Sequence, residues 1–340
     1  MGAAPFLAAC RREPTAHTPV WLMRQAGRYQ PEYRAIRARL GFLELCKTPE
    51  VAAEVTVMAA EQLGVDAAIL FADILLVLEP LGVGLEFAAG DGPVIHRPVR
   101  DAAAIDALPE LDVAAMAYVA DTVRAARAAL KVPLIGFAAA PFTLASYLVE
   151  GGGSRDWLRT KGLMQSDPGA WRALMEKLAR ALAAYLNLQI DAGAQAVQLF
   201  DSWVGCLAPD DYRAHVLPHV RAIVGALRPG VPVIHFGTGT AGLLECQRAA
   251  GGDVIGLDWR VDLDAAWARL GDDIGVQGNL DPVALLAPIP EIRRRVAAVL
   301  GQAGGRRGHV FNLGHGVLQQ TPVDHVRACV DAVHELSSRA

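Results

Sequence analysis

Short apolar runs alternate with amphipathic stretches along most of the chain. Eight runs read as buried strands: residues 19–23, 65–71, 132–137, 196–200, 231–236, 253–257, 274–277 and 309–313. Between them, apolar positions recur at helical spacing. The helical stretches predicted are 6–12, 31–45, 49–63, 101–130, 170–192, 209–227, 243–250, 263–270, 282–300 and 322–337. Thr48-Pro49-Glu50 supplies a helix start, a cap residue followed by Pro at the first helical position. Residues 75–98 fit neither period. Rich in Val, Gly and Pro, they read as an extended excursion or hairpin.

Eight strands alternating with helices predict an α/β fold of the (β/α)8 TIM type. With no internal repeat and no low-complexity linker, the whole of 1–340 is expected to be a single domain. An N-terminal helical extension and the 75–98 excursion are its additions.

Composition narrows the function. The chain is 53% hydrophobic, enough for a large core, and its formal charge of −4 gives no basic surface for nucleic acid. Its five cysteines are scattered, with no C-x-x-C, which fits structural thiols in a reducing compartment. No apolar run is long enough for a bilayer, so a cytoplasmic, membrane-free protein is expected.

In a (β/α)8 barrel the chemistry stands at the C-terminal strand ends. There the sequence places Arg24 and Arg28, Asp73, Asp201-Ser202, His235, Asp258, Gln277 with Asn279, and Asn312 with His315. Arg24 and Arg28, in MRQAGRYQPEYR, offer two forks suited to carboxylates or phosphates, whether on one helical face or in a loop. In a loop, Gly27 would offer its N–H to a ligand. Several of the others have plainer readings. Asp201 and Asp258 fit loop caps, His235 a packed ring, Asn312 a loop hydrogen-bonder. Asp73, between Phe71 and Ile74, has no basic neighbour in sequence, and an acid in apolar surroundings needs a partner or a function. No lysine stands at a strand end, which disfavours Schiff-base chemistry.

Residues 237–242, GTGTAG, match G-x-G-x-x-G after a strand, with Asp258 ending the next strand where a ribose-binding acid would stand. Four strand–helix units precede this match, which argues against a dinucleotide fold. No H-x-C, H-E-x-x-H or C-x-x-C occurs, so no metal site is predicted.

The segment PVWLMRQAGRY at 19–29 resembles the N-terminal signature of the uroporphyrinogen decarboxylase family. Further segments are similar in order: FADIL at 71–75, with Ala72 in place of the usual Ser, GFAAAPFTLASYLVEGGG at 136–153, FDSW at 200–203, GLDW at 256–259, QGNLDP at 277–282 and GHVFNLGHG at 308–316. The resemblance implies a distorted (β/α)8 barrel, a homodimer, and removal of CO2 from the four acetates of uroporphyrinogen III to give coproporphyrinogen III. It implies no metal or organic cofactor. Carried over by matching motif are Arg24, Gln25, Ala26, Gly27, Arg28, Asp73, Tyr147, Ser202 and His315 as substrate-binding residues, with Asp73 and Arg24 catalytic. No role is assigned to the 237–242 loop.

A pyrrole protonated on a ring carbon can itself accept the electrons released with CO2. The protein then needs an anion, Asp73, facing the pyrrole N–H groups, and donors for the carboxylates. The competing readings are a zinc-dependent barrel methyltransferase, an NAD-linked oxidoreductase and a non-catalytic porphyrinogen carrier.

Overall fold

The computed structural model describes residues 4–88 and 92–338; the remainder of the expected 1–340 span, including 89–91 of the excursion, lies outside the described residues. Seven parallel strands curl around a buried core: β1 (Ala68–Ile69), β4 (Leu134–Ala139), β5 (Ala196–Asp201), β6 (Val233–Gly237), β7 (Val254–Gly256), β8 (Gly275–Gln277) and β9 (His309–Val310). They hydrogen-bond in that order. Helices, among them the 25-residue α9 (Pro168–Ala192), cover the outside.

The eighth predicted strand, 19–23, makes one ladder bridge, Val20 to Phe311. Pro19 has no N–H to offer, and side chains take over most of the others. Val20 N–H goes to Asp66 Oδ2 (2.8 Å), Leu22 N–H to Gln25 Oε1 (3.3 Å) and Met23 N–H to Asn312 Oδ1 (3.1 Å). Asp66 N–H in turn donates to Val20 O at 2.8 Å. The segment therefore fills the gap between β9 and β1 without strand geometry, and the barrel is distorted there.

Four predicted helices are broken. Residues 31–45 divide into α2 (Pro31–Arg37) and α3 (Phe42–Cys46), with Gly41 capping the second. Residues 101–130 divide into α5 (Ala102–Ala107), a 3₁₀ turn (Val113–Met116) and α6 (Ala117–Ala129), with Pro109 after the first. Residues 209–227 divide into α10 (Pro209–His215) and α11 (Leu217–Ala226), where Pro218 starts a new helix. Residues 282–300 become a 3₁₀ turn and then α14 (Ile289–Ala303), with Pro288 and Pro290 at the break.

Within the excursion, β2 (Leu85–Ala88) and β3 (Gly92–Ile95) pair antiparallel. Ile95 N–H donates to Gly151 O (2.9 Å), which docks the hairpin on the end of α7 (Pro141–Glu150). Phe42 packs edge-on against both Phe87 of the hairpin and Phe71 beyond β1. The hairpin is thereby held over the C-terminal mouth of the barrel.

Candidate active site

Two joined chambers open at that mouth. The inner one has a volume of about 310 Å³ and the outer one about 730 Å³. Arg24, Asp73 and Phe87 line both.

Asp73 follows β1 by four residues. Its Oδ1 accepts the Leu75 N–H at 2.8 Å, an Asx turn that fixes the carboxylate. Burial raises its pKa to about 6, against the opposing pull of the Leu75 N–H and Arg24. Among the described residues it is the one acid that lines either chamber. The other polar groups around it are chiefly donors.

Arg24 ends the 19–23 segment with φ of +59°, the left-handed region unusual for a residue with Cβ. Residues 24–30 form turns, so Arg24 and Arg28 stand in a loop, not on a helix. Neither guanidinium makes a hydrogen bond or ion pair among the described residues, and both are exposed to the chambers' mouth. Arg28 lines the outer chamber alone. Ala26 lines both chambers and Gly27 the outer one, but the Gly27 N–H is already given to Gln30 Oε1 (2.9 Å).

Gln25 stands apart from the chambers. It is fully buried, its amide facing Leu22 N–H and Ala67 O, while Tyr29 Oη donates to its carbonyl. It holds the arginine loop to the barrel and lines neither chamber.

Tyr147, on α7, stacks on Trp203 with ring centroids 3.8 Å apart. Its phenol lines the inner chamber, where burial and the Asp73 charge push its pKa up to about 12, so it keeps its proton. Thr143 aligns the stack from one turn earlier. Its hydroxyl donates to Asp201 Oδ1 (3.0 Å) and accepts the Trp203 N–H (3.2 Å). Ser202, between those two residues, lines the inner chamber.

His315 enters from the loop after β9, which is fastened by Val317 N–H to Met23 O at 2.9 Å. Burial lowers its pKa to about 4, with Arg24 and Arg260 adding repulsion. At neutral pH it is an uncharged imidazole with one N–H to give. Sequence reasoning did not single out Arg37, Phe87 or Pro93, all of which line the outer chamber. Arg37 follows Arg28 by nine residues in an Arg-rich stretch that marks no position as special.

The plainer readings hold elsewhere. Asp258 caps loops, accepting from Arg260 N–H (2.9 Å) and Gly239 N–H (2.6 Å). The latter contact puts a carboxylate where the G-x-G-x-x-G reading needs a phosphate, which contradicts dinucleotide binding there. His235 is a wholly buried ring, and Asn312 Oδ1 accepts from Met23 and Leu313 N–H. The zinc methyltransferase reading needs several His or Cys at the mouth, and the chambers offer His315 alone among the described residues.

A parallel α/β barrel whose mouth sets cationic and neutral donors around one desolvated carboxylate defines a TIM-type enzyme for a large, multiply anionic small molecule. The comparisons narrow this. Residues 1–336 match the profile of the family described as uroporphyrinogen decarboxylase (URO-D). A uroporphyrinogen decarboxylase of Sorangium cellulosum is 61% identical over 97% of this chain and 96% of its own length. One of Carboxydothermus hydrogenoformans is 56% identical over 98% and 96%. The chain belongs to the uroporphyrinogen decarboxylase family. Among solved structures, a methyltransferase from Methanosarcina mazei superposes with a TM-score of 0.84, covering 97% of both chains at 19% identity, which speaks to the fold alone.

Proposed function

We propose that this chain is a uroporphyrinogen decarboxylase, converting the four acetates of uroporphyrinogen III to methyl groups with Asp73 at the centre of the reaction. The observation that carries the site assignment is the lone carboxylate, Asp73, facing a chamber otherwise lined by donors and apolar walls.

For each acetate the balance is one proton taken up and one CO2 released. A proton adds to a pyrrole ring carbon, making the ring cationic. The bond from methylene to carboxylate breaks, and its electron pair neutralises the ring. The exocyclic methylene is then protonated to methyl as the ring carbon gives its proton back.

The catalytic need is therefore an anion close to a transient cation. Asp73 meets it by accepting the pyrrole N–H groups. Those donors, with Arg24, hold it ionised in the complex, where low dielectric strengthens its effect. Arg24 and Arg28 grip side-chain carboxylates as charged forks, each charged hydrogen bond contributing roughly 1.5–3 kcal/mol. Tyr147, Ser202 and neutral His315 donate around the reacting acetate. Phe137, Phe200 and Phe236 supply apolar inner walls that exclude water.

We further assign the chain to the cytoplasm and to a homodimer. Among the described residues no helix is long and apolar enough to cross a membrane. Exposed Val283, Leu286 and Ile289 supply apolar surface for a second copy.

Anaerobic incubation with reduced uroporphyrinogen, followed by oxidation and mass analysis, tests the activity. Stepwise loss of four CO2 is expected. Recovery of unaltered substrate from folded protein would overturn it. Light scattering tests the dimer.

A further inference from the structure

At the opposite, N-terminal end of the barrel two histidines converge on one aspartate that decarboxylation leaves unused. His17 Nε2 donates to Asp66 Oδ1, and His334 Nε2 donates to Asp66 Oδ2, each at 2.9 Å. An ionised carboxylate only accepts, so both rings carry their proton on Nε2. The rings meet edge to face with centroids 4.8 Å apart. All the ligand atoms lie within 4.8 Å of one another. Three distant stretches meet here: the loop before Val20, the start of β1, and α15 (Val323–Ser337).

We propose that His17, Asp66 and His334 form a binding site for a divalent transition ion, Zn2+ matching the donor set best, which pins both ends of the chain to the barrel. Two imidazoles and a carboxylate suit Zn2+, and water completes the shell from the open side. The side chains are 24%, 13% and 32% exposed, so that side reaches solvent. Around a tetrahedral ion with ligand bonds of roughly 2.0–2.1 Å, neighbouring donor atoms stand about 3.3 Å apart. The two 2.9 Å contacts open by a few tenths of an ångström, and the widest donor pair, within 4.8 Å, closes towards the same spacing.

Charge favours a cation. No Lys or Arg forms an ion pair with Asp66 among the described residues, and Asp331 adds negative field beside His334. Hydrogen bonds from His334 and His17 outweigh burial and hold Asp66 below its ordinary range, so it is ionised. Val20 N–H, 2.8 Å from Oδ2, orients the carboxylate as an outer partner should. On binding, each ring moves its proton from Nε2 to Nδ1, and any second proton on His334 is released. Affinity therefore falls in acid. The catalytic chambers lie at the other end of the strands, so occupancy acts on stability and not on turnover.

The test is a Co2+ titration of the metal-stripped, tag-free full chain at neutral pH, read by visible absorption, on wild type, His17→Gln and His334→Gln. Gln keeps an N–H donor for Asp66, which preserves the fold. Expected are one Co2+ per chain with a nitrogen–oxygen spectrum and a loss of affinity in each variant of roughly 10–100-fold or more. Zn2+ should raise the unfolding temperature of wild type more than that of either variant. No saturable binding, thiolate charge-transfer bands, or variants that bind like wild type would each overturn the site. If one variant fails to fold, the other variant and the wild-type spectrum decide.

Discussion

Gly316 lies directly under the Arg24 side chain: a Cβ at Gly316 would stand 2.6 Å from Arg24 Cγ. The two residues belong to opposite ends of the chain, joined by the Val317–Met23 hydrogen bond. Real carbon atoms do not approach so closely without moving. Gly316→Ala should therefore displace the Arg24 guanidinium from the inner chamber. We expect kcat/KM for uroporphyrinogen to fall by about tenfold or more, equivalent to part of one charged hydrogen bond. The thermal unfolding midpoint should change little, because Arg24 makes no hydrogen bond or ion pair among the described residues that the change could break. Steady-state kinetics beside calorimetry check both.

Burying Asp73 at neutral pH costs stability. Its folded pKa, about 6, lies above the usual 3.8, so the folded chain binds this proton more tightly than the unfolded chain. Its contribution is most favourable below the unfolded value and is lost as pH rises through the folded one. Asp73→Asn keeps an oxygen for the Leu75 N–H and removes the charge. At pH 7 it should be more stable than wild type by on the order of 2–3 kcal/mol, an advantage that fades towards pH 4. Urea unfolding of both proteins at the two pH values measures this.

The Tyr147–Trp203 stack depends on Thr143, whose hydroxyl serves Asp201 and the Trp203 N–H together. Thr143→Val leaves both unpaired, with Asp201 Oδ2 already lacking a partner. A destabilisation of roughly 1–3 kcal/mol follows. Loosening of the stack should lower kcat as well. Chemical denaturation and near-ultraviolet circular dichroism, which senses the Trp203 environment, would report the two effects.

Tyr147→Phe isolates the phenol. The ring still stacks on Trp203, so the fold should be unchanged. Because the hydroxyl stays protonated with a pKa near 12, its loss removes one neutral donor and no charge. We expect a roughly 5–10-fold fall in kcat/KM, consistent with one neutral hydrogen bond, and no new limb in the pH profile below 9 or so. A larger effect with a new limb would mean that Tyr147 transfers protons.

The sequence showed the barrel because buried parallel strands are short, apolar and punctuated by amphipathic helices. It placed Arg24, Asp73, Ser202 and His315 beyond strand ends for the same reason. What it could not show depends on contacts between distant residues. Residues 19–23 carry the apolar run of a strand, yet three of their N–H groups are taken by the side chains of Asp66, Gln25 and Asn312. Gln25 shares a motif with two cavity arginines but turns into the protein, where Leu22 N–H and Ala67 O hold its amide. Phe87 reaches the chamber only because the hairpin docks on Gly151. His17, Asp66 and His334 meet across the whole length of the chain, which no local spacing reports.

In the proposed reaction one anion, Asp73, stabilises the cationic ring during CO2 loss. The most direct measurement is single-turnover decarboxylation by folded Asp73→Asn under anaerobic conditions, with substrate binding measured in parallel. Binding should persist while CO2 release slows by about a hundredfold or more, the scale of losing a preorganised electrostatic partner. Release at the wild-type rate would contradict this role for Asp73.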